Sequence, residues 1–305
     1  MRYLVTGGAG FIGSNLVDKL VDEGNEVVVI DNESSDANDH YFWNKKARNY
    51  KWDINDYESL KFAMNGVDVV FHIAAEARIQ PTIENPRLAV QTNTLGTCNV
   101  LQAAKERGVK RVIYSSTSSA YGLENPIPNT EDMPKDCLNP YSVSKAAGEE
   151  LCRMYTNLFE LETVTFRYFN VYGERQPIKG QYAPVIGIFQ RQFGCNEPMT
   201  VVGDGLQTRD FAHVSDVVEA NLLAADINNE NIVGEIFNIG YGERFSIMDL
   251  VKMVGGEEAE FVHLPPRPGE ARHTLSDCTK AQKLLKWKPK TKLEDWIISC
   301  KQQLV

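Results

Sequence analysis

Short apolar runs alternate with helix-length amphipathic segments along most of this chain. Runs such as Tyr3-Leu4-Val5-Thr6, Val27-Val28-Val29-Ile30 and Val69-Val70-Phe71-His72-Ile73 have the length and β-branched content of buried strands. They predict strands at 2–6, 26–30, 68–73, 110–115, 162–167 and 235–239. Apolar residues at helical spacing, beginning with Ile12, Leu16, Val17, Leu20 and Val21, predict helices at 12–24, 56–65, 86–107, 141–160, 183–194, 214–227, 246–254 and 292–303. Strands separated by helices need crossover connections, so the fold class is α/β, with a doubly wound parallel sheet covered on both faces. After Tyr172 the pattern loosens, with Pro, Gly and Gln gathered at Gln176–Pro184 and again at Leu264–Gly269. These breaks predict a smaller, discontinuous lobe over the carboxyl edge of the sheet, where ligands bind in such folds. The expected division is 1–171 plus 212–236 for the sheet domain and 172–211 plus 237–305 for the lobe.

The turn between the first strand and the first helix carries Gly7, Gly10 and Gly13. Glycines there let backbone amides approach a pyrophosphate, whose charge the positive end of the following helix stabilises. The second strand ends in Asp31, 18 residues past Gly13. A carboxylate at that position accepts hydrogen bonds from an adenosine ribose and repels a 2′-phosphate, which points to NAD rather than NADP.

Tyr141 and Lys145 lie four residues apart on a predicted helix and therefore share a face. A neighbouring cation favours phenolate, as a tyrosine serving as general base near neutrality requires. Tyr41/Lys45 and Tyr57/Lys61 repeat the spacing, but only the pair at 141 and 145 follows a strand ending in hydroxyls, Ser115-Ser116-Thr117. One of those hydroxyls can bond the same substrate oxygen that the tyrosine deprotonates.

Composition narrows the remaining choices. At 305 residues with 43% hydrophobic and 24% charged residues the chain is ordinary globular protein. No apolar run approaches the roughly 18 residues of a membrane span, and a strand starting this early leaves no room for a signal peptide. A cytoplasmic protein is expected. A net charge of −9 gives no general attraction to nucleic acid or to an anionic membrane. The six cysteines are too scattered for a metal cluster or a disulfide framework, so no metal is expected.

The motifs accumulate into a pattern. Gly7-x-x-Gly10-x-x-Gly13, Asp31, Asp53-Ile54, His72-Ile73-Ala74-Ala75, Asn93, Ser115-Ser116-Thr117, Tyr141-x3-Lys145, Arg167-Tyr168-Phe169-Asn170, Arg209-Asp210-Phe211 and Arg267-Pro-Gly-Glu270 span nearly the whole chain. Together they resemble the extended short-chain dehydrogenase/reductases, in the nucleotide-sugar epimerase and dehydratase group. The resemblance implies catalysis by Thr117, Tyr141 and Lys145. It implies an NAD site formed by Gly7, Gly10, Phe11, Ile12, Gly13, Asp31, Asn32, Asp53, Ile54, Ala74, Ala75, Asn93, Ser115, Tyr141, Lys145 and Phe169. A UDP-sugar would be held by Thr117, Asn170, Arg209, Arg267, Glu270 and Thr274.

Within that group, 4,6-dehydratases carry acidic residues just after the hydroxyl, where this chain has Ser118 and Ser119. The glutamate usual in the group's decarboxylases is missing too. One base and one hydride acceptor suffice for a 4-epimerase, which oxidises carbon 4 transiently and re-reduces it on the other face. A dehydratase, reductase or 5-epimerase of the same fold, or a noncatalytic NAD-binding sensor, is the alternative.

The resemblance also implies a homodimer through helices 86–107 and 141–160, whose Leu88, Leu95 and Leu101, and Val143, Ala147, Leu151, Met154 and Leu158, exceed one-sided burial. Finally, galactose-type 4-epimerases place a bulky tyrosine where this chain has Thr274. A threonine leaves room for an N-acetyl group at the sugar's 2-position.

Overall fold

The computed structural model describes residues 1–35, 38, 40–179 and 183–302. Part of the Gln176–Pro184 break and the expected helix end at 303 lie outside these residues. Strands β1 (Arg2–Thr6), β2 (Glu26–Ile30), β3 (Arg48–Tyr50), β4 (Val69–His72), β5 (Arg111–Thr117) and β6 (Glu162–Tyr168) join with Ile236–Ile239 in one seven-stranded sheet. Every pairing in it is parallel. From one edge the order is Ile236–Ile239, β6, β5, β4, β1, β2, β3. The chain therefore winds outward from β1 to β3 and then crosses back to β4, which opens a crevice at the carboxyl end of β1.

Alternation along the strands divides the core. Val5, Val29, Phe71, Ile113 and Phe166 face a cluster with Leu16, Val17 and Leu20 of helix α1 (Phe11–Asp22). Leu4, Val28, Val70, Val112 and Tyr114 face the opposite one, with Leu60 of helix α2 (Tyr57–Ala63). Both faces are buried, as continuous apolar strands require.

Helix 86–107, expected as one piece, is three. Helix α3 (Ile79–Glu84) precedes it; then α4 (Pro86–Ala89) runs into a wide π turn at Val90–Leu95 before α5 (Gly96–Arg107) resumes. Leu101 consequently points inward and is fully buried, which removes it from the expected outer face, whereas Leu88 and Leu95 stay exposed. Helix α6 (Pro140–Phe159) starts from Asn139, whose side chain and Ser142 cap each other's backbone.

The lobe has its own core of Tyr172, Ile186, Phe189, Val201, Leu250 and Val254. Strand Ile236–Ile239 runs past residue 236, and Ala281, Leu285 and Trp287 pack into the sheet's core.

Candidate active site

The carboxyl ends of β1, β2, β4, β5 and β6 open into one cavity of about 510 Å³, closed on the far side by the lobe. At the β1 end, Gly7 has φ of +68°, and a Cβ there would stand 2.8 Å from the Ala74 nitrogen. A Cβ on Gly13 would lie 2.1 Å from the Gly7 oxygen, so that turn closes only on glycine. Gly10 differs. A Cβ on it would meet nothing nearer than 3.5 Å, and it caps α1 with no side-chain hydrogen bond. The protein leaves the space over that helix end open, which suits a pyrophosphate.

Phe11, Ile12, Ile54, Ala74, Ala75 and Ser115 line the cavity as expected, with Asp31 and Asn32 at the end of β2. Asp31 Oδ2 accepts from the Ala9 amide at 3.1 Å and Oδ1 from the Glu33 amide at 2.8 Å. Burial pushes its carboxyl up, against the pull of those amides.

Three expected cofactor residues stand off the wall. Asp53 accepts from Asn32 Nδ2 at 2.9 Å and so orients Asn32. Asn93 lies buried in the π turn, accepting from the Glu76 amide at 2.8 Å and donating to Ser144 Oγ at 2.9 Å. Phe169 is fully buried and packs toward Tyr121.

Tyr141 sits in the first turn of α6 and Lys145 one turn later, both on the cavity. Thr117, at the end of β5, accepts from the Ser119 amide at 3.1 Å, which leaves its hydroxyl hydrogen for another partner. Burial raises the Tyr141 phenol, while the Thr117 hydroxyl and the Arg78 guanidinium pull it down. Arg78, which also lines the cavity, is thus a cation that favours the ionised phenol. Lys145 is 2% exposed, with Nζ 4.3 Å from the centre of the Tyr114 ring. Burial pushes its ammonium down to about 7, against Cys152 and Glu149.

Beneath these groups lies a buried ion pair. Arg167 Nε and Nη2 donate to the two oxygens of Glu149 at 2.9 and 2.8 Å, and Ser116 Oγ donates to Glu149 at 2.6 Å. Burial alone would raise the Glu149 carboxyl, but Arg167, Ser116 and Lys135 hold it below its ordinary value. The pair fixes β5 and β6 against α6, one residue from Thr117.

On the lobe side, Asn170, Arg209, Arg267, Glu270 and Thr274 all line the cavity. Arg209 Nη2 lies 3.6 Å from Glu270, and Nη1 donates to the Thr208 and Arg272 carbonyls at 3.0 and 3.1 Å. Asn170 donates to the Asp210 carbonyl at 2.8 Å, and Thr274 Oγ1 accepts from the Asp210 amide at 3.3 Å. Two guanidinium forks on one wall suit a diphosphate. Arg78 is the functional candidate that the motifs passed over. Its only sequence signal is a lone cation six residues past His72.

A sequence profile of the NAD dependent epimerase/dehydratase family matches residues 3–240. A putative UDP-glucose 4-epimerase of Methanocaldococcus jannaschii is 39% identical over 299 residues, 96% of this chain and 95% of that protein. The crystal structure of UDP-glucose 4-epimerase with UDP-glucose from Thermotoga maritima has a TM-score of 0.92 and 36% identity, with all of both chains covered. UDP-N-acetylglucosamine 4-epimerase from Methanobrevibacter ruminantium, in complex with UDP-N-acetylmuramic acid, has a TM-score of 0.89 and 31% identity, covering 97% of this chain and 95% of its own. The chain belongs to the NAD-dependent epimerase/dehydratase family. Its cofactor is NAD.

Proposed function

We propose that this chain inverts carbon 4 of a UDP-hexose and prefers UDP-N-acetylglucosamine and UDP-N-acetylgalactosamine. The observation that carries the reaction is the convergence of Thr117 and Tyr141 on one cavity, with Ser118 and Ser119 beside them in place of acids. Hydroxyls near their free pKa are poor shuttles for eliminating water, so elimination lacks its acid and base. The two solved structures named above are of UDP-sugar 4-epimerases.

In this reading Tyr141, as phenolate, takes the proton from the sugar 4-hydroxyl and later returns it to the 4-keto oxygen. Thr117 donates to that oxygen and keeps it in line with the phenol. Arg78 favours the ionised phenol. Bound NAD supplies the hydride acceptor and donor at carbon 4. Asp31, Asn32, Lys145 and the glycine turn would hold it. Arg209 and Arg267 grip the diphosphate, so the keto sugar turns over without leaving.

The sugar preference is supported by Thr274, which lines the cavity with a side chain much smaller than tyrosine's. A homodimer belongs to the same reading. Leu88, Leu95, Val143 and Leu158 are 41%, 52%, 52% and 67% exposed on adjoining helical segments. A dimer mass by light scattering at micromolar concentration is expected, and a monomer removes this element.

The test is a panel of UDP-sugars incubated with the purified protein, with products resolved by chromatography. Interconversion of the two N-acetylated sugars at the highest kcat/KM, without loss of water and without free NADH, is the expected result. Faster turnover of UDP-glucose and UDP-galactose would overturn the preference. A dehydrated product would overturn the reaction.

A further inference from the structure

The loop that brings Arg267 and Glu270 to the cavity is fastened to the helix that carries Tyr141. We propose that Asn139 is the positioning residue of that fastening: its side-chain amide holds the loop over the cavity and thereby sets nucleotide-sugar affinity. The proposal rests on the UDP-sugar reading given above.

Asn139 is 6% exposed and makes two kinds of contact. Its Oδ1 accepts from the Ser142 amide at 2.8 Å, while Ser142 Oγ accepts from its backbone at 3.3 Å. Those contacts start the helix and use only the side-chain oxygen, which serine, threonine or aspartate would supply equally well. The amide nitrogen is surplus to capping. It donates to the carbonyl of Gly269 at 2.8 Å, across 130 residues of sequence. Gly269 has φ of +77°, and a Cβ there would come within 3.3 Å of Asn139 Cβ, so loop and cap are in close contact.

Neighbouring bonds act in the same direction. Gln80 Nε2, on α3, donates to the Pro268 carbonyl at 3.1 Å, and Glu270 lies 3.6 Å from Arg209. Pro268, Gly269 and Glu270 are thus tied in turn to α3, to the cap of α6 and to the lobe. A loop already ordered presents its charged side chains without the entropic cost of ordering them when ligand arrives. Asn139 touches no reacting atom in this arrangement. It acts through the loop.

Asn139→Ser separates the two jobs, because serine keeps the cap and lacks the reach and the donor. With one neutral hydrogen bond lost, KM for the UDP-sugar should rise about 5-fold while kcat and its pH profile stay within about 2-fold. Amide hydrogen exchange at 266–271 in the free protein should quicken, with 141–146 unchanged. Gln80→Ala should move KM and loop exchange the same way by a smaller factor, and it carries the test alone if Asn139→Ser does not fold. Wild-type KM and loop exchange in the folded variant would overturn the proposal. So would a loss of kcat with faster exchange at 141–146, which would make Asn139 a cap and nothing more. A wild-type protein without UDP-sugar turnover would instead defeat the functional reading, and the exchange comparison would still decide the strap.

Discussion

The two ends of the cavity are built from different materials. The end proposed for NAD is built around the glycine turn, with Asp31 and Asn32 at the end of the strand beside it. The end proposed for the sugar is lined by side chains brought together from Asn170, Arg209, the 267–270 loop and Thr274. A backbone site fails when a single atom is added, whereas a side-chain site changes its choice of ligand. The proposed catalytic groups, Thr117 and Tyr141, stand between the two.

The largest effect is expected at that junction. Tyr141→Phe removes the proton acceptor and should cut kcat by about 10³-fold, with NAD still bound, as stopped-flow turnover and cofactor absorbance will show. Turnover near wild type would take Tyr141 out of the mechanism. On the sugar side, Thr274→Tyr should lower kcat/KM for UDP-N-acetylglucosamine about 100-fold and spare UDP-glucose, a change of specificity without loss of chemistry. Equal turnover of both sugars by the variant would move the pocket wall elsewhere.

At the opposite end, Gly13→Ala drives a Cβ against the Gly7 carbonyl. Overpacking of this kind costs about 1–3 kcal/mol, so NAD affinity measured by titration should fall about 10- to 100-fold for every sugar alike. An effect confined to one sugar would blur the distinction between the two ends. The smallest effect sharpens the junction itself. Arg78→Gln removes a charge that lowers the Tyr141 phenol. The phenol's pKa then rises, less phenolate is present at pH 7, and kcat/KM should fall by about 5-fold there and recover at pH 9. A pH-independent loss would assign Arg78 to binding alone.

The same contrast explains what could be read from the amino-acid order. Gly7, Gly10, Gly13 and Asp31 were legible because their geometry is local, a turn and the strand end beside it. Tyr141 and Lys145 were legible as a pair once Ser115-Ser116-Thr117 stood before them. Arg78 was not, because nothing in the sequence around it shows that its charge acts on the phenol. Asp53, Asn93 and Phe169, which the resemblance placed at the NAD site, are not themselves among the residues lining the cavity, and depth below a surface is not encoded by spacing. Strand β3 has only three residues and helix α3 six, too short for periodicity to register. Trp287 and Ala281 return to the first core from a distant stretch of chain, a contact that local periodicity does not show.

The π turn at Val90–Leu95 can be viewed as a change of phase. Each residue of an α-helix advances the side chain by about 100°, and a wide turn absorbs roughly one residue without the matching advance. Upstream, Leu88 faces outward; within the turn Leu95 does so too while Asn93 reaches Ser144 of α6; downstream, Leu101 and Ala104 face the sheet. One helical track thus serves three directions that no single amphipathic stripe could satisfy. Deleting one residue from that turn would restore a regular stripe and swing Asn93 away from Ser144, loosening the first turn of α6 while leaving every side chain of the reaction in place.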